Sequence, residues 1–202
     1  MPNAAAETVD RVVASIGNAA LTASDVEQEY RFELFLNGQS LSVPPDPATL
    51  ERVRDRLIDQ RLLAEEAEAE RVERTDLPPQ AAATLAEVRR KYPSEEAFQA
   101  ALRTLEMDER EVLQRLGDQA LVLRIIDQRL RPAAWVERAE IEAYYRKTFG
   151  REHVEQAAGS APALEDVENQ IREILAQEKI NQLLSTWLEE LKTSRRVRLH
   201  SF

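Results

Sequence analysis

The chain of 202 residues carries a net charge of −10, with 32% charged residues, 43% hydrophobic residues, five glycines and no cysteine. The negative charge argues against binding to nucleic acid or to anionic lipid, because the phosphate groups of both would repel it. The lack of cysteine excludes disulfides, thiolate nucleophiles and cysteine-ligated metals. The high charge and scarce glycine are typical of a mainly α protein.

Residues 9–16 predict a β-strand, because their hydrophobicity alternates. Val12, Ala14 and Ile16 are expected on one face of this strand. Gly17 is expected to begin a tight turn into a short return strand, since glycine reaches positive φ at little steric cost.

Seven helices are predicted from hydrophobic periodicity and from the residues at their ends. They cover approximately residues 22–35, 46–71, 78–91, 94–105, 108–131, 137–149 and 164–192. Side chains that can cap a helix N-terminus precede four of them: Thr22 or Ser24, Asp46, Ser94 and Asp108. Asp108 and Glu111 also have the spacing of a capping box. The helix that follows them has apolar residues on more than one side, so we expect it to be the most enclosed.

The C-terminal segment has no partner close to it in sequence. Its long helix has apolar residues at three- and four-residue spacing, and residues 196–200 alternate as a short strand does. A lone strand requires a second one, so we expect it to pair with strand 9–16. The predicted fold class is mainly α, with a small antiparallel β element that pairs the N- and C-terminal strands.

This pairing predicts three parts of the chain. Residues 1–149 form an N-terminal helical region, and residues 150–163, with two glycines and a proline, form a linker. Residues 164–202 then complete the N-terminal core. No apolar run approaches the roughly 18 residues that a membrane span requires, so stable membrane insertion is not expected.

Four blocks of the sequence form a recognisable set in a fixed order. They are VDRVVA, GN and LTASDV between residues 9 and 26, LIDQRLL at 57–63, AEIEAYY at 139–145, and the terminal block around Ile171, Trp187 and Leu191 with its closing strand. Together they resemble the SurA-type periplasmic chaperones over nearly the whole chain. The resemblance implies a core of N-terminal helices that the C-terminal helix and strand complete, and it implies a periplasmic location after removal of a signal peptide.

The chain departs from this family after residue 149. Parvulin-type prolyl isomerase domains usually follow that block in the family, and residues 150–163 are far too few for one. The resemblance therefore implies a chaperone without isomerase activity. Its partners would be unfolded or partly folded envelope proteins, including outer-membrane proteins.

Three functions remain open from the sequence. The first is an ATP-independent holdase with no cofactor, since the chain has no glycine-rich phosphate loop. The second is a helical scaffold or assembly subunit with one fixed partner, or a homodimer in which the terminal helix is exchanged through the linker. The third is a prolyl isomerase, by family association alone.

No catalytic, cofactor-binding or metal-binding residue is predicted. The two histidines, His153 and His200, lack the spacing of a metal site. The candidate client-binding residues are Phe35, Leu36, Leu41, Val43, Tyr92, Phe98 and Met107. The same residues could instead pack in the core. Trp187 lies on the apolar stripe of the terminal helix and is expected to be buried.

Overall fold

The computed structural model describes residues 10–149 and 162–202, which form a mainly α fold, as predicted. The strands are β1 (Val12–Ile16), β2 (Ala19–Thr22) and β3 (Arg198–Leu199). The helices are α1 (Ala23–Leu36), α2 (Pro47–Ala69), α3 (Leu77–Arg90), α4 (Glu95–Leu105), α5 (Glu109–Leu130), α6 (Arg138–Phe149) and α7 (Leu164–Ser194). A 3-10 turn (Arg131–Ala133) follows α5. Most of the predicted linker 150–163, including His153, lies outside the described residues.

The small sheet joins residues from the two ends of the chain. Its strand order is β2-β1-β3, and both pairings are antiparallel. β1 pairs with β3 through Ala14 opposite Leu199 and Ser15 opposite Arg198. The predicted pairing of the N- and C-terminal strands is therefore confirmed.

The predicted face of β1 is wrong at one residue. Val12 is 41% exposed, whereas Val13 and Ala14 are completely buried and Ile16 is nearly so. The pairing of β1 with β2 shifts register between Val12 and Ala14, and this irregularity turns Val12 outward. Gly17 has a φ of +56° and forms the turn as predicted.

Helix starts follow the predicted caps. Asp46 and Ser94 accept hydrogen bonds from the first turns of α2 and α4. The Thr22 hydroxyl accepts from the Asp25 N–H, while the Asp25 carboxylate accepts from the Thr22 N–H at 3.0 Å. Asp108 and Glu111 make the same reciprocal pair. These capping boxes satisfy backbone donors that have no partner inside the helix.

The chain divides into two compact units. The first contains the described residues up to Ile125 together with Leu188–Phe202, and the second is Ile126–Trp187. A core cluster in the first unit joins residues of α1, α3, α4 and α5: Phe32, Phe35, Ala81, Leu85, Val88, Phe98, Leu102, Leu105, Val112 and Leu116. In the second unit, residues of α6 and α7 pack around Val136, Ile141 and Ile171.

Two predictions about large apolar residues have different outcomes. Trp187 is 6% exposed, so its predicted burial is confirmed, and the Arg129 guanidinium lies 4.4 Å from the centre of its ring. The prediction that α5 is the most enclosed helix is wrong: five of its 22 residues are buried, against five of the 14 residues of α1, and Leu123 is 68% exposed. The apolar residues of α5 are too widely spread around its axis for one packed face to cover them all.

Candidate functional site

Six of the seven predicted client-binding residues come together in the first unit. Phe35 and Phe98 have no exposed surface and belong to its core cluster. Half-buried residues that pack against this cluster are Leu36, Leu41, Tyr92 and Met107. Val43 is 49% exposed and lines a separate depression beside α1 and α2. Core packing accounts for the positions of Phe35 and Phe98, and client contact by the seven residues stays a prediction.

Three aromatic rings hold the end of α1 against the start of α4. The ring centres of Phe35, Tyr92 and Phe98 lie 5.5–5.6 Å apart. The Tyr92 hydroxyl donates to the Phe35 carbonyl at 2.9 Å, and burial raises the pKa of Tyr92 to about 12. The phenol therefore stays protonated, and it remains a donor, throughout the neutral range.

An open groove runs beside this cluster along α3 and α5, and we call it the α3–α5 groove. It consists of two depressions of about 620 and 330 Å³ that share Ala82 and Leu113. Seven of its 17 lining residues are aliphatic: Leu77, Pro78, Ala81, Ala82, Leu85, Ala86 and Leu113. Tyr92 also lies in the larger depression, so one predicted client-binding residue borders this surface.

Gly117 lines the smaller depression of the groove, in the middle of α5. A glycine inside a helix costs about 1 kcal/mol relative to alanine. A side-chain methyl group at this position would meet nothing within 4 Å in the described part of the chain. Packing therefore gives no reason for the glycine, and the space beside its Cα is open to an approaching backbone.

Charged residues at the wider end of the groove are paired with one another. Arg89 lies 2.7 Å from Glu109, and its guanidinium carbon lies 4.6 Å from the centre of the Phe98 ring. The Gln99 amide donates to both Glu95 and Glu109 at 2.9 Å. These contacts pair charged groups of the groove with one another beside its aliphatic residues.

A second candidate site is a cleft of about 250 Å³ between α1, α2 and α5, and we call it the Glu29 cleft. Glu29 is only 7% exposed. Among the described residues, its carboxylate accepts one hydrogen bond, from Arg115 at 3.5 Å. Burial raises the pKa of Glu29, and the nearby Arg115 and Arg56 only partly oppose this effect.

The arginines of the Glu29 cleft are held by other groups. The Arg115 guanidinium lies 5.2 Å from the centre of the Phe32 ring. It therefore interacts with this ring as well as with the Glu29 carboxylate. Arg61 lies 3.3 Å from Asp25 and also donates to a backbone carbonyl of β2. The cleft therefore contains a buried carboxylate that has no short ion pair.

Glu29 is not among the residues predicted from the sequence for any site. The structure buries it on α1 together with the apolar Val26, Phe32, Leu34 and Phe35. Glu29 stands three residues after Val26 and three before Phe32, which places it on the same side of the helix. A charged residue in register with buried neighbours is the signal that could have found it.

Replacing Glu29 with Gln is expected to raise the free energy of unfolding at neutral pH by on the order of 1 kcal/mol. Burial raises the folded-state pKa above the ordinary value of 4.5, so the native protein is penalised for carrying the charge. The stability gained by Glu29→Gln is fully present at a pH above the raised folded-state pKa of Glu29. It disappears as the pH falls below 4.5, where the wild-type carboxyl is protonated in both states.

Urea denaturation of both proteins across this pH range measures the effect. The matched control is Glu27→Gln, which removes the same charge from an exposed position of α1 and should leave stability unchanged. A Glu29→Gln protein that is less stable than wild type at neutral pH would contradict the expectation.

Within residues 10–149 and 162–202, no group of three or more acidic or histidine side chains is arranged to hold a metal ion. His200 is exposed at the C-terminal end of the sheet. None of the described helices combines the length with the hydropathy that crossing a membrane demands.

Comparison with known proteins gives no family assignment. No protein-family model matches the chain, and no curated protein gives a significant match. The α3–α5 groove and the Glu29 cleft are therefore defined by the geometry of this chain alone.

Proposed function

We propose that this protein is an ATP-independent chaperone that holds unfolded segments of envelope proteins in the periplasm, without isomerase activity. The observation that carries the proposal is the α3–α5 groove, which is open, has seven aliphatic residues in its lining and is bordered by a helical glycine that packing does not explain. The resemblance of four sequence blocks to SurA-type chaperones supports the same function.

The groove suits an extended chain better than a compact ligand. An unfolded polypeptide exposes apolar side chains along its length, and each large one that is buried contributes about 1.5–3 kcal/mol. Ordering the segment opposes part of this gain. Because the two depressions are open, the side chains of the bound polypeptide can leave them one at a time. Release of the polypeptide therefore requires no nucleotide.

Gly117 has a defined role in this proposal. Without a side chain on this turn of α5, the backbone of a bound segment can approach the helix closely. The apolar side chains of the bound segment then reach the aliphatic residues of α3. The net charge of −10 keeps the chaperone soluble while it carries an apolar surface.

The test is the aggregation of an unfolded outer-membrane barrel protein, followed by light scattering without nucleotide. The wild-type chain is expected to suppress aggregation at equimolar concentration. Gly117→Leu fills the smaller depression, so we expect it to weaken client binding roughly tenfold, the equivalent of one lost side-chain contact. The variant should remain folded, because a Cβ atom at this position meets nothing within 4 Å in the described part of the chain and leucine favours helix.

Ala83→Leu is the matched control, since it adds a similar side chain to an exposed position of α3 outside the groove lining. It should suppress aggregation as well as wild type does. The proposal fails if the wild-type chain does not suppress aggregation, or if Gly117→Leu and Ala83→Leu behave alike.

A further inference from the structure

The Glu29 cleft has the size of one side chain rather than of a cofactor. Its volume of about 250 Å³ lies below the roughly 300–1,000 Å³ typical of small-molecule sites. Its lining includes the half-buried apolar residues Leu57, Ala64 and Val122 and the buried carboxylate of Glu29. Apolar residues beside a buried carboxylate match a group with an apolar stem and a polar tip.

The charges in the cleft favour a cationic tip. Three carboxylates and two guanidinium groups line it: Asp25, Glu29, Asp118, Arg61 and Arg115. Because Asp118 also lies 3.8 Å from Arg74, the case for a cation rests on the buried Glu29. Arg61 is occupied by Asp25, and Arg115 is shared between Glu29 and the Phe32 ring. The Glu29 carboxylate therefore keeps unused acceptor positions at a site that is nine-tenths buried.

We propose that the Glu29 cleft binds one Lys or Arg side chain of a polypeptide, whose cationic head pairs with the Glu29 carboxylate. The methylene stem lies along Leu57 and Val122. In the free protein, Glu29 accepts a hydrogen bond from Arg115 at 3.5 Å. The bound cationic head replaces it with a charge-assisted hydrogen bond to Glu29 of about 2.8 Å. The cation also compensates a burial that is unfavourable in the free protein, as is common for residues that serve binding.

The remaining lining indicates a polypeptide rather than a free amine. Gln28, Gln60 and Gln119 line the same cleft. Their amides both donate and accept hydrogen bonds, so they match the backbone groups on either side of a basic residue. A free polyamine offers no backbone to pair with them. This site is separate from the α3–α5 groove and does not rest on the chaperone function.

The test uses the full chain and short capped peptides that differ only at a central residue: Lys, Arg or norleucine. Binding is measured by titration calorimetry. Wild type is expected to bind the Lys and Arg peptides at least roughly tenfold more tightly than the norleucine peptide. Glu29→Gln should lose that difference, whereas Glu27→Gln, with the same charge change at an exposed position of α1, should retain it.

Two further measurements keep the outcome unambiguous. Thermal melting of Glu29→Gln shows that lost binding is not lost folding, since the variant is expected to be at least as stable as wild type. Gly117→Leu should leave binding of the Lys peptide unchanged, which separates this site from the groove.

Four results would overturn the proposal. They are failure of wild type to bind either basic peptide, equal binding of the norleucine peptide, equal binding by Glu29→Gln, and tighter binding of spermidine than of the peptides. The last result would assign the cleft to a free amine.

Discussion

Removing residues 188–202 is expected to unfold the first compact unit rather than trim its end. The deleted segment contains β3, and it supplies partners for backbone groups near β1. The backbone N–H of His200 donates to the Val13 carbonyl at 3.0 Å. The Gly17 N–H donates to the Arg195 carbonyl at 2.8 Å. The Val13 carbonyl belongs to a buried residue, and a buried backbone group that loses its partner costs about 1–3 kcal/mol.

Side chains of the same segment add to this loss. Leu191 is buried, and its removal costs about 1.5–3 kcal/mol. Lys192 lies 3.0 Å from Asp59, whose pKa is raised by burial even with this cation beside it. Arg195 pairs with Glu65 and Glu66 of α2. The Val13 carbonyl and Leu191 together account for about 2.5–6 kcal/mol, which reaches the lower end of the stability of a whole domain.

Circular dichroism during urea denaturation checks the deletion. The chain that ends at Trp187 should lose helical signal in the absence of urea, and the transition that remains should be broader. Glu190→Gln, at an exposed position of α7, is the control and should unfold as wild type does. Unchanged unfolding of the truncated chain would show that the terminal segment does not complete the first unit.

Features that depend on neighbours in sequence were predictable. Thr22 and Asp25 form the α1 capping box because the two residues stand at the spacing that the first helical turn requires. The pairing of β3 with β1 was predictable for a different reason. The strand predicted at residues 196–200 cannot exist alone, and residues 9–16 carried a second strand signal with which it could pair.

Features that depend on packing were not predictable. The outward turn of Val12 follows from an irregular pairing with β2, which no alternation of residues reveals. The α3–α5 groove combines small residues such as Ala82 and Gly117, which lie far apart in sequence and carry no pattern of their own. Phe35 and Phe98 were proposed as client-binding residues because they stand near helix ends. Their burial depends on packing with the ring of Tyr92, which contacts both of them in the fold.

Phe98→Ala is expected to lower the free energy of unfolding by about 3–5 kcal/mol. The Phe98 side chain is completely buried, and it contacts the rings of Phe35 and Tyr92 and the guanidinium of Arg89. Alanine would leave a cavity among these groups, which α1 and α4 could close only by moving. Urea denaturation measures the loss, and a change below about 1 kcal/mol would show that the ring does not support the core.

Tyr92→Phe separates the core role of this cluster from a client-binding role. It removes only the hydrogen bond to the Phe35 carbonyl, so we expect a loss of about 1 kcal/mol. The ring stays in the α3–α5 groove, and suppression of aggregation should persist. Phe98→Ala should lose suppression only under conditions where the first unit unfolds. If Phe98→Ala lost suppression while still fully folded, Phe98 would have to reach the client directly, through a conformation in which its ring leaves the core.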